Sequence, residues 1–158
     1  MYERVLVPTD GSDAAAAAAD HAVGIARTYG ATVHALYVVD VRMSPIDTSV
    51  DREAARDLVE ASDRRPFDPV RARAAAADVP VVEAVRVGVP HEAIGTYVDE
   101  HDVDLVVMGT HGRTGLKRGL LGSVTERVLR RSDVPVMTVR KRGDDGGAVG
   151  QQPTDAGD

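Results

Sequence analysis

Leu105-Val106-Val107-Met108-Gly109-Thr110-His111-Gly112-Arg113-Thr114-Gly115-Leu116-Lys117-Arg118-Gly119-Leu120-Leu121-Gly122-Ser123-Val124-Thr125-Glu126 is an apolar strand that runs into a glycine-rich loop and then into a helix start. Five glycines fall in the 14 residues from Gly109 to Gly122. Without Cβ atoms they admit left-handed backbone and close approach of a ligand. A helix N-terminus offers unpaired N–H groups and the positive end of a dipole, which suits phosphate. Arg113, Lys117 and Arg118 add positive charge. Ser123-Val124-Thr125-Glu126 also reads as a capping box, with the Ser123 oxygen accepting from the Glu126 N–H and the Glu126 carboxylate from the Ser123 N–H.

Outward from this stretch, Arg4 to Thr9 reads as a buried strand and Asp10-Gly11-Ser12 as a turn. Ser12 is placed to cap an alanine-rich helix over 13–29 that ends at Gly30. Thr32 to Val39 is the second strand. Residues 51–77 read as a helix broken near Pro66 and Pro69. Val79 to Val87 is the third strand, followed by a helix over 91–101. Leu105 to Met108 is the fourth strand, 123–131 a helix and Val136 to Arg140 the fifth strand. Continuously apolar strands alternating with helices predict a parallel sheet covered on both faces, a doubly wound α/β sandwich. Ligands bind such folds beyond the carboxyl ends of the strands, where strand order reverses. Residues 1–142 form the expected domain, and 143–158, with almost nothing apolar to bury, a disordered tail.

Composition sets bounds. The 158 residues suffice for one domain with a substantial core, and 43% of them are hydrophobic. No apolar run reaches the roughly 20 residues of a spanning helix. No signal peptide is read at the N-terminus, so a cytoplasmic location is expected. The absence of cysteine excludes disulfides, thiolate metal sites and cysteine nucleophiles. A net charge of −6 argues against a general nucleic-acid binder. Only Lys117 and Lys141 are lysines among 19 Lys and Arg, and Asp dominates the acidic residues. Such a bias suits a high-salt cytoplasm, and a GC-rich genome produces it as well.

The familiar phosphate loops do not fit. No glycine is followed by lysine, as a Walker A loop requires, and the first turn, Pro8-Thr9-Asp10-Gly11-Ser12, lacks the dinucleotide fingerprint. What fits is Gly-x2-Gly-x9-Gly-Ser at Gly109, Gly112, Gly122 and Ser123. This resembles the ATP-binding branch of the universal stress protein family. Val-Leu-Val-Pro-Thr-Asp-Gly-Ser at 5–12, Leu-Tyr-Val-Val-Asp at 36–40, Asp-Leu-Val-Val-Met-Gly at 104–109 and Ser-Asp-Val-Pro-Val-Met-Thr-Val at 132–139 extend the resemblance over residues 2 to about 141.

The resemblance implies a five-stranded sheet of order 3-2-1-4-5 and an ATP site, with Mg²⁺ near the phosphates. Pro8, Thr9 and Asp10 would line the nucleotide, with Asp10 toward the adenosine or the metal. Val38 would lie against adenine, and Met108 and Gly109 by the ribose. Gly112, Arg113, Gly122, Ser123, Val124 and Thr125 would hold the phosphates. The last strand, 134–139, would join two copies in a homodimer, which would also cover an apolar edge. The expected function is that of an ATP-binding, dimeric stress-response regulator without nucleic-acid or membrane partners. A slow ATPase or nucleotidyl-transfer enzyme on the same site, and a docking domain with incidental nucleotide, are the alternatives. No catalytic residue is read: Ser12, His111 and Asp10 have no triad spacing, and the nucleophile-elbow pattern is absent.

Overall fold

The computed structural model describes residues 1–43, 52–61, 65–111 and 120–141. The predicted tail, 143–158, lies outside them. Five strands form one parallel sheet: β1 (Arg4–Pro8), β2 (Thr32–Asp40), β3 (Val81–Gly88), β4 (Leu105–Gly109) and β5 (Val136–Val139), in the order β3-β2-β1-β4-β5. The expected doubly wound fold is present. None of the described helices is long and apolar enough to cross a membrane.

Helix α1 (Asp13–Tyr29) starts where the sequence marks it, with the Ser12 hydroxyl accepting from the Ala15 N–H at 3.2 Å. It ends at Gly30, whose φ of 69° is the left-handed conformation that glycine adopts at least cost. Its buried face is Ala14, Ala15, Ala18, Ala19, Ala22, Val23 and Ala26. These small side chains bring the helix close to the sheet. The broken helix resolves into α2 (Arg52–Ala61) and α3 (Asp68–Ala77). Pro69 sits in the first turn of α3, where a missing N–H costs nothing, and Pro90 opens α4 (Pro90–Glu100) in the same way.

The core has two halves, one on each side of the sheet. Val5, Val7, Val33, Ala35 and Val107 pack with α1, α2 and α3. Leu6, Leu36, Val106 and Met108 pack with Ile94, Tyr97 and Val98 of α4 and Val128 of α5 (Ser123–Arg131). The period-2 alternation of each strand sorts its apolar residues between the two halves.

The start of α5 corrects the capping-box expectation. Gly122 is the N-cap, no side-chain cap is made among the described residues, and the Glu126 N–H donates to the Gly122 carbonyl at 3.0 Å. Ser123 is therefore the first helical residue. Its side chain is one position too late to reach the Glu126 N–H.

Candidate functional site

Strand order reverses between β1 and β4. The chain leaves β1 toward α1 on one face and leaves β4 toward α5 on the other, so the two connections diverge and leave a crevice above the carboxyl ends of these strands.

On the β1 side, the Asp10 carboxylate accepts from the Ser12 N–H at 2.9 Å, and Gly11 takes φ 77°. The turn is thus wired by its own side chains. Thr9 is 5% exposed. Its hydroxyl donates to the Pro66 carbonyl at 2.7 Å and accepts from the Gly11 N–H at 3.3 Å. What Thr9 presents to the crevice is therefore main chain.

On the β4 side, Thr110 closes the loop. Its N–H donates to the Val139 carbonyl at 3.0 Å, and its carbonyl accepts from the Gly122 N–H at 2.7 Å. The ends of the loop are pinned together, which fixes α5 against the sheet. A Cβ on Gly122 would stand 3.2 Å from the His111 Cα, and one on Gly109 would stand 2.8 Å from the Ala14 Cβ. Close approach therefore requires glycine at 109, and at 122 it leaves a tight fit in which the His111 backbone would have to give by a few tenths of an ångström. The Thr125 hydroxyl donates to the Gly109 carbonyl at 2.9 Å, and Thr125 is buried. That contact positions the first turn of α5 on β4.

The first intrahelical bond of α5 comes from Glu126, so the N–H groups of Ser123, Val124 and Thr125 precede the ladder. Ser123 is exposed and Val124 half-buried. Val38, Met108 and Val124 all pack on the α4–α5 half of the core. Pro8 continues β1 beside Leu36. Gly112 and Arg113, with Lys117 and Arg118, lie outside the described residues. Sequence reading passed over Thr110 and took Pro66 only as a helix break, missing its contact with Thr9. A threonine between the strand-ending glycine and the loop was a readable signal for the first, whereas Pro66 is 57 positions from its partner Thr9 and gave none.

Among the described residues no three His, Asp or Glu side chains gather as a metal site would require. A divalent cation here would draw on Asp10 and on oxygens brought by the ligand itself.

The sequence model of the universal stress protein family matches residues 1–140. The chain belongs to that family. It is 38% identical over 144 residues to the universal stress protein MJ0531 of Methanocaldococcus jannaschii, covering 89% of this chain and 84% of that one. The solved structure of MJ0577, a universal stress protein of the same organism, superposes with a TM-score of 0.75 at 32% identity, covering 90% of this chain and 98% of that one. A universal stress protein crystallised in complex with cAMP superposes with a TM-score of 0.67 at 30% identity, covering 89% and 98%.

Proposed function

We propose that this universal stress protein binds ATP with Mg²⁺ in the crevice between the β1 and β4 connections, and that it acts in the cytoplasm as a dimeric stress-response regulator. The observation that carries this reading is the N-terminus of α5, which opens at the switch point with three N–H groups ahead of its hydrogen-bond ladder and no side-chain cap among the described residues. The donors and the dipole there match a phosphate chain in chemistry. Gly112, Gly122, Ser123, Val124 and Arg113 would hold the phosphates, with Thr125 bracing the turn. Asp10 would approach the cation, and Val38, Met108 and Pro8 would flank the adenosine. The cAMP complex of a 30%-identical relative supports an adenine nucleotide as the ligand class.

The proposed homodimer joins β5 strands. Among the described residues β5 pairs only with β4, and Met137 on it is 37% exposed, so a bare and partly apolar edge is available.

The reading is tested by calorimetric titration of nucleotide-free protein with ATP and Mg²⁺, and with cAMP in competition. Saturable binding of one ATP per chain is the expected result. Folded protein that gives no heat across the millimolar range would overturn it. Tighter binding of cAMP than of ATP would replace the ligand and keep the site.

A further inference from the structure

We infer that Thr9 is a positioning residue that couples the nucleotide turn to helix α3, so that ligand at the switch point is felt on the opposite face of the sheet. The inference rests on the nucleotide reading above and extends it to a second surface.

The Thr9 hydroxyl bridges two segments. One is the turn after β1, through the Gly11 N–H at 3.3 Å. The other is the chain entering α3, through the Pro66 carbonyl at 2.7 Å. The bond to Pro66 is shielded, because Thr9 is 5% exposed and Pro66 is among the fully buried side chains, and the bond from Gly11 is partly so. A buried carbonyl or N–H left without its partner is costly, so each side of the bridge holds the other in place.

The start of α3 depends on this anchor. Its N-cap is Phe67, which supplies no side-chain cap. Phe67 is 6% exposed, and its carbonyl accepts the first helical bond from the Arg71 N–H at 2.9 Å. The position of that first turn is thus set by the burial of Pro66 and Phe67 and by the bond to Thr9.

Farther along, α3 is clamped at two points. Arg71 pairs with Glu83 on the edge strand β3, and Arg73 pairs with Asp20 on α1. A tighter turn at 9–12 therefore has a physical route to α3 and to the β3 edge. The route is one hydroxyl, a buried carbonyl, a part-buried N–H and a helix start whose N-cap residue supplies no side-chain cap. It leads to the side of the sheet away from Val38, Met108 and α5.

Hydrogen exchange of the full chain, with and without saturating ATP and Mg²⁺, decides the matter. In wild type and in Thr9→Ser, ATP should slow exchange several-fold both in 120–131 and in 65–77. In Thr9→Val, at an ATP concentration that restores protection of 120–131, exchange in 65–77 should no longer respond. Protection of 120–131 in wild type without any change in 65–77 overturns the coupling, whether or not the valine variant folds. An equal response of 65–77 in Thr9→Val also overturns it. Absence of protection in 120–131 of wild type removes the nucleotide reading itself, which is a different failure.

Discussion

Gly109 and Gly122 bracket the loop; the first excludes a side chain and the second leaves little room for one. At Gly109 an added Cβ meets the Ala14 Cβ at 2.8 Å and the Ala14 carbonyl carbon at 2.9 Å. Helix backbone cannot step aside as a flexible side chain would. Gly109→Ala should therefore lower stability by about 1–3 kcal/mol, the usual range for overpacking, in urea unfolding. An unchanged midpoint would mean that α1 sits farther from β4 than the structure has it. Gly122 has φ −61° and ψ 151°, which valine tolerates, so its restriction is steric alone. A side chain there pushes against His111 and shifts the N–H groups of α5. Gly122→Val should thus abolish ATP binding in calorimetry while the chain stays folded, and full affinity in that variant would remove the phosphate role of α5. His34 gives a pH dependence. It is 7% exposed and hydrogen-bonded to the Tyr97 hydroxyl at 2.7 Å. Burial, then the positive charges of His101 and Arg4, hold its pKa below the ordinary value. The folded state therefore binds this proton less readily than the unfolded state does. Stability from this group is complete above about pH 6.5 and declines as pH falls below it, by at most about 1.4 kcal/mol per pH unit. His34→Gln should flatten that limb of the stability profile. An identical acid limb in variant and wild type would show that other groups set it.

At the scale of elements, the first strand, the alanine-rich helix with its Ser12 and Gly30 ends, and the alternation that follows were all readable. In each, local propensity and burial point the same way. The start of α5 was misread for an instructive reason. Serine followed three places later by glutamate is a strong cap signature, but the Thr110 carbonyl takes the Gly122 N–H and starts the helix one residue early. A long-range bond overrode a local one, and a sequence pattern does not display such a bond. The contact between Thr9 and Pro66 was hidden in the same way. Of the proposed nucleotide residues, Gly122, Ser123, Val124 and Thr125 gather at the start of α5, and Pro8, Thr9 and Asp10 at the end of β1, whereas Gly112 and Arg113 fall outside the described residues. The edge strand β5 carries the prediction that belongs to this scale. If two copies pair there, wild type should run at about twice the 16.7 kDa chain mass in light scattering. Met137→Arg should shift it to the monomer with ATP binding retained, because a charge on that edge opposes pairing. A monomeric wild type would exclude the β5 dimer.

The whole molecule is acidic, with a net charge of −6, and it carries many small ion pairs. Arg56–Glu60 and Arg130–Glu126 are half-exposed or more on both sides. Such pairs contribute about 0–1 kcal/mol each and weaken with salt. The net charge acts in the opposite sense, because like charges spread over a compact surface repel at all distances within the screening length. That length falls from about 10 Å at 0.1 M salt to about 3 Å at 1 M. Pairs in contact at 2.8–3.3 Å keep part of their attraction at 1 M, whereas repulsion across the wider surface is nearly gone. Salt therefore removes more repulsion than attraction. The apparent Tm should rise as potassium chloride increases from about 0.1 to 1 M, most steeply at the low end. A steady fall over that range would mean that the surface pairs act as a cooperative network whose loss outweighs the relief of net charge. Neutralising Arg56 and Arg130 together separates the two accounts: it makes the net charge more negative than −6, so it should lower the Tm most at low salt and steepen the rise with salt if repulsion dominates, and it should flatten the fall with salt if the network does.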